Sequence, residues 1–243
     1  MLSSCIECFK ENGVPNLESL KSEITDDGVY RIECSNGHIS YTIFQNEKFE
    51  ILFDMGAEAL NSGYKQEAVV CFASSLERFH EWAINIILFK RGISQEDFCK
   101  TWKYVHKQSE RQLGAFYFLY LFEFNESPEM VKDEMTNFRN NVIHKGYIPL
   151  YKEVFDYGEY ILNYIRKIIN RLGNEYDDAI MKLNINRQLE LKQKYNIGNQ
   201  SVVVSVHSTI INLVSKESRN NNTSFKEELE FIYKREKYLE GFK

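Results

Sequence analysis

Three side chains in Phe138-Arg139-Asn140-Asn141-Val142-Ile143-His144 have the chemistry to act on a phosphodiester. Histidine exchanges protons near neutral pH, so His144 suits taking a proton from an attacking hydroxyl or returning one to a leaving oxygen. The guanidinium fork of Arg139 suits holding phosphate oxygens and stabilising the charge that builds on them. The amide of Asn140 can orient either the phosphate or the imidazole. Five residues on a continuous helix turn about 500°, which leaves the Arg139 and His144 side chains roughly 140° apart. They converge only where the helix loosens ahead of His144. Gly146 and Pro149 force an ending within a turn.

A second constellation is Cys5-x2-Cys8 with Cys34-x3-His38. Two closely spaced pairs of soft or borderline ligands are what tetrahedral zinc takes up on folding. Arg31, at a similar spacing from His38, belongs to this constellation and not to the first. Tyr30-Arg31-Ile32-Glu33-Cys34 and Ile39-Ser40-Tyr41-Thr42-Ile43 alternate as strands do. Ser35-Asn36-Gly37-His38 between them reads as a hairpin turn, with Asn-Gly supplying positive φ. The segment resembles a zinc ribbon, with Cys-x3-His in place of the more usual second Cys-x2-Cys. With four protein ligands the ion would be structural.

The elements that must position these residues are mostly helical. The chain has 243 residues, with 15 Tyr, 17 Phe and only three Pro, a composition suited to helices around an aromatic core. From Met55 the period becomes helical, with a break at Gly63. Ala68, Phe72, Leu76, Phe79, Ala83, Ile86 and Ile87 then mark one face of a long helix closed by Lys90-Arg91-Gly92. Ser94 starts the next helix, Gln112 to Phe124 forms an aromatic one, and Ser127-Pro128-Glu129 opens the helix that carries Arg139. Leu150 to Leu172 follows, stopped by Gly173. In the last 70 or so residues, Tyr176 to Tyr195 reads as a charged helix and Val202 to Val206 as a strand or extended arm. Asn220-Asn221-Asn222-Thr223 reads as a loop, and Ser224-Phe225-Lys226-Glu227 as a capping box for a final helix.

The net charge is −5, which argues against a protein that coats nucleic acid without specificity, though not against a local basic pocket. The first residues lack the basic and apolar regions of a secretory signal, and five cysteines is an odd count. A reducing, cytoplasmic setting is expected. No apolar run approaches the ~18 residues of a membrane span.

The Arg-Asn-x3-His motif, the helix order and the segment Ala68 to Glu81 resemble HEPN domains over about residues 50 to 172. These are helical bundles, many of them metal-independent ribonucleases in toxin–antitoxin, phage-defence and RNA-processing systems. The resemblance implies that Arg139 and His144 are catalytic, that Asn140 assists, and that Lys145 contacts RNA. It also implies a homodimer in which two motifs face one cleft, and products ending in a 2′,3′-cyclic phosphate and a 5′-hydroxyl. The expected architecture is thus mainly α: a zinc-ribbon-like module at 1–50, a HEPN-like helical bundle at 51–172, and a helical extension at 173–243. The expected function is an endoribonuclease acting as a toxin or anti-phage effector, alongside a possible antitoxin or defence partner.

Other roles fit the same residues. Arg139 would pair equally well with Glu134 or Glu77, and His144 would cap helix carbonyls. Many members of the family are catalytically silent RNA- or protein-binding versions. A sensor subunit whose ribbon reads a ligand is a further alternative. His80 and His106 read as packing or surface residues, Cys71 and Cys99 as core thiols, and Trp82 and Trp102 as core or dimer contacts.

Overall fold

The alternation around Asn36-Gly37 does produce a hairpin. In a computed structural model of the chain, Gly37 takes φ 78°, its N–H donates to the carbonyl of Cys34, and the N–H of Cys34 donates to the carbonyl of His38. The residues described are 2–3, 5–13, 20–21, 25–198, 202–213 and 222–240. Pro15 and the loop positions Asn220 and Asn221 lie outside them.

In chain order the elements are β1 (Leu2–Ser3), α1 (Ile6–Asn12), β2 (Leu20–Lys21), β3 (Val29–Glu33), β4 (Ile39–Phe44), α2 (Lys48–Asn61), α3 (Lys65–Lys90), α4 (Gln95–Trp102), α5 (Ser109–Phe124), α6 (Asp133–Lys145), α7 (Tyr151–Leu172), a 3-10 turn (Gly173–Tyr176), α8 (Asp177–Lys194), β5 (Val202–Ser205) and α9 (Phe225–Glu240). The fold is mainly α with a small β module. The chain divides into two units: Met1–Asn46 with Ile180–Ser208, and Glu47–Ala179 with Thr209–Lys243.

In the first unit β3 pairs antiparallel with β4, and β5 joins the other edge of β4 in parallel, Tyr41 opposite Val202. Tyr30 and Ile32 are buried while Arg31 and Glu33 are exposed, the two-residue period that marked β3 in sequence. Arg187 of α8 seats one guanidinium nitrogen 2.9 Å from the carbonyl oxygens of Phe44 and Gln45. The region expected as a single extension at 173–243 is therefore shared: 180–208 completes the unit that holds the ribbon hairpin, and 209 onward joins the bundle.

The second unit is built on α3. Phe72 is fully buried and packs on Phe53 of α2 and Phe225 of α9, with ring centroids 5.0 and 5.9 Å away. Two glycines make room for it. A Cβ on Gly56 would lie 2.6 Å from the Phe72 ring, and one on Gly158 would lie 2.9 Å from both Phe72 and Phe225. Gly56→Ala and Gly158→Ala are each expected to lower the stability of this unit by about 1–3 kcal/mol, read as the midpoint shift in denaturant unfolding.

Two boundaries differ from those read in the sequence. Helix α2 begins at Lys48, ahead of Met55, because Glu47 and Glu50 form a reciprocal capping box. Glu50 and Asp54 are buried, accepting the N–H groups of Leu213 and Ile210, and acids on the inner face blur the apolar stripe. Helix α6 begins at Asp133 and not behind Ser127. Residues ahead of it stay extended because the hydroxyls of Tyr117 and Tyr160 accept the N–H groups of Val131 and Lys132, at 2.8 and 3.0 Å. Cys99 is exposed rather than a core thiol, and Cys71 is half-buried. No described helix is long and apolar enough to cross a membrane.

Candidate functional site

Helix α1 places Cys5 at its N-cap and Cys8 one turn on, so both thiols leave the same side of its first turn. The hairpin turn brings Cys34 and His38 to the same spot. The four ligand atoms lie within 4.8 Å of one another, an arrangement compatible with a structural zinc site. Ligands at about 2.3 Å for sulfur and 2.05 Å for nitrogen give tetrahedron edges of about 3.8 Å between sulfurs and 3.5 Å between sulfur and nitrogen. The Cys8–Cys34 sulfurs are 3.7 Å apart, and Nδ1 of His38 lies 3.4, 3.7 and 3.9 Å from Cys8, Cys34 and Cys5. All three thiols are buried and free. Burial works against ionisation of Cys34, but hydrogen bonds from the backbone at His38 and Asn36 outweigh it and bring the thiol to about 7. That favours the thiolate form a metal needs.

Two surrounding residues escaped the sequence reading. Glu11 Oε1 lies 3.2 Å from Nε2 of His38, which fixes the ring so that Nδ1 faces the thiols. The amide of Asn36 donates to the Cys8 sulfur at 3.4 Å. The signal was available for Glu11, one helical turn from Cys8, once α1 was known to be a helix.

The other constellation lies on α6, which continues unbroken to Lys145 before Gly146 caps it with φ 69°. The helix does not loosen ahead of His144, so a single chain does not bring Arg139 and His144 together. Arg139 turns toward α3, where its Nη2 lies 3.9 Å from Glu77 Oε1. That is beyond hydrogen-bond reach, so the guanidinium keeps donors uncommitted. His144 is exposed in the last turn and its side chain, like that of Asn140, makes no hydrogen bond among the described residues. Lys145 beside it is exposed too.

Past His144 and Lys145 the chain exposes apolar side chains. Tyr147, Ile148, Leu150 and Tyr151 are exposed, Ile148 by 71% and Leu150 by 66%. Their loop is held in place: the Tyr147 hydroxyl and the Leu150 N–H both donate to Glu153. Four exposed apolar side chains thus lie on an ordered stretch of chain just past His144.

Arg139 also lies at the edge of a pocket among α3, α5, α6 and α7. Leu76, Leu113, Met135 and Ile161 are among its apolar walls, and Glu77 and Glu110 bring carboxylates to it. His80, also lining it, is buried against Phe116 and Tyr164, 3.2 Å from the Tyr164 hydroxyl. Burial pushes this imidazole down to about 3. The folded protein therefore holds His80 neutral, while the unfolded chain takes up a proton below pH ~6.5. The stability from its burial is complete above that pH and is lost as pH falls toward 3, at about 1.4 kcal/mol per pH unit. Unfolding free energies measured from pH 7 to 4 are expected to fall more steeply for the wild type than for His80→Leu.

Comparison of the chain with protein-family models, with curated proteins and with solved structures finds no match.

Proposed function

We propose that the chain is a metal-independent endoribonuclease whose active site forms between two copies, with the Cys/His cluster holding a structural zinc ion. The observation that carries this is His144: an exposed imidazole without a partner among the described residues, at the end of the helix that bears Arg139 and beside an ordered apolar patch. A second copy seated on that patch would supply what one chain lacks, an Arg139 guanidinium facing the imidazole. Two copies each of Arg139 and Lys145 would also give an acidic protein a local positive cleft.

In the proposed reaction His144 takes the proton from a ribose 2′-hydroxyl as that oxygen attacks its own phosphorus. The bond to the 5′-oxygen of the next nucleotide breaks, and that oxygen receives a proton. Arg139 stabilises the charge on the phosphate oxygens, and Asn140 orients them. The products carry a 2′,3′-cyclic phosphate and a 5′-hydroxyl. The HEPN-like motif supports a toxin or anti-phage effector role, held in check by a partner protein such as an antitoxin.

The test is cleavage of end-labelled RNA in buffer without magnesium by the wild type, Arg139→Ala and His144→Ala, with the product ends identified. Each variant is expected to be inactive alone. A mixture of the two, exchanged through unfolding and refolding, is expected to regain part of the activity, because a mixed dimer keeps one Arg139 and one His144 in the same cleft. Intact RNA with every protein would instead support a catalytically silent RNA- or protein-binding module. The Arg139–Glu77 approach within one chain favours that second reading.

A further inference from the structure

The pocket beside Arg139 has its own composition to explain. Its walls are apolar side chains from four helices, yet two carboxylates and a guanidinium stand at it. Arg139 and Glu77 are half-buried and loosely paired. The Glu110 carboxylate belongs to an exposed residue and makes no hydrogen bond or ion pair among the described residues. A purely apolar ligand would strand these charges, and a hydrated ion would waste the walls. A planar ring with apolar faces, donor groups on its edge and a phosphate attached satisfies all three features.

Building on the ribonuclease reading, we propose that this pocket receives a guanine base of single-stranded RNA, with its 3′-phosphate on Arg139 and its Watson–Crick edge on Glu110. Single-stranded bases are read this way, faces against side chains and edges by hydrogen bonds. Guanine presents two adjacent donors, N1–H and the 2-amino group, which match the two oxygens of one carboxylate. Uracil presents one donor between two acceptors, and cytosine and adenine place an acceptor beside their donor, so a carboxylate repels part of each edge. His80, held neutral below, adds no positive charge to compete with Arg139 for the phosphate. The chain has only five methionines, and Met135 lines the pocket, so its methyl group is a local reporter.

The experiment is a titration of full-length protein carrying 13C-methyl methionine. The probes are guanosine 3′-monophosphate, uridine 3′-monophosphate, inorganic phosphate, and two single-stranded RNA hexamers, one containing a single guanosine and one containing none. The Met135 signal is expected to move with the guanosine nucleotide and with the guanosine-containing hexamer. Uridine nucleotide should bind about tenfold more weakly or worse. Glu110→Gln should remove that preference without weakening phosphate binding, and Leu113→Trp, which fills the pocket, should abolish the shift. Thr136→Trp, at another residue lining the pocket, serves where Leu113→Trp fails to fold by near-UV circular dichroism. A Met135 signal that ignores all nucleotides, or moves equally for guanosine and uridine, overturns the proposal. Binding of free guanosine nucleotide without the guanosine hexamer overturns the assignment to RNA. RNA cleavage with no Met135 shift removes the pocket alone. A guanosine-selective shift in a protein that cuts no RNA removes the nuclease reading and leaves the pocket standing.

Discussion

With zinc at Cys5, Cys8, Cys34 and His38 as proposed, its removal is expected to cost the N-terminal unit its order around residues 5–13 and 34–38 while the helical bundle stays folded. Helix α1 has seven residues, far short of the dozen or more an isolated helix needs in water. The three thiols are buried together, and in the absence of an ion what links them to one another, to His38 and to Asn36 is a set of weak sulfur hydrogen bonds. A structural zinc ion of this type supplies an apparent binding free energy of about 10–16 kcal/mol, most of which appears as folding free energy. The expected zinc content is one ion per chain. Chelation, or Cys8→Ser, should abolish amide exchange protection in those two segments, whereas Cys99→Ser, at an exposed thiol, should change nothing. Glu11→Gln should weaken zinc retention about 10–100-fold, since its carboxylate orients the His38 ring. Full protection in metal-free protein would end the structural-ion reading.

The second large effect is on chemistry. His144→Ala is expected to reduce RNA cleavage about 10²–10⁴-fold, the usual worth of a positioned general acid–base. Because His144 is exposed and unpartnered among the described residues, its removal should leave thermal stability unchanged, which separates a chemical role from a structural one. Arg139→Lys keeps the charge but loses the planar fork, so it should fall nearer to Arg139→Ala than to wild type. Cleavage by His144→Ala at the wild-type rate would sink the assignment outright. So would a protein that stays monomeric at assay concentrations yet cuts RNA at full rate, because one chain holds the two residues on different sides of α6.

Much of the architecture was readable from residue type and spacing, because the signals are local. The Asn36-Gly37 turn, the Ser224–Glu227 capping box, the stop at Gly173 and the stripe along α3 each depend on neighbours within a few positions. The clustering of Cys5, Cys8, Cys34 and His38 was readable for the same reason: two short pairs, each placed by one local element. The start of α6 was not, since it depends on hydroxyls of Tyr117 and Tyr160 arriving from two other helices.

The sequence by itself determined a mainly helical chain with a hairpin and four metal-type ligands near its start, because periodicity and turn chemistry act over a few residues. Tertiary structure alone decided that Val202–Ser205 completes the sheet beside β4, across more than 150 intervening residues. It also decided that Arg139 faces Glu77 and a pocket while His144 faces outward on the same unbroken helix. Long-range pairing and the direction of a side chain off a helix are set by which surfaces pack together, and that choice is made by the whole chain at once.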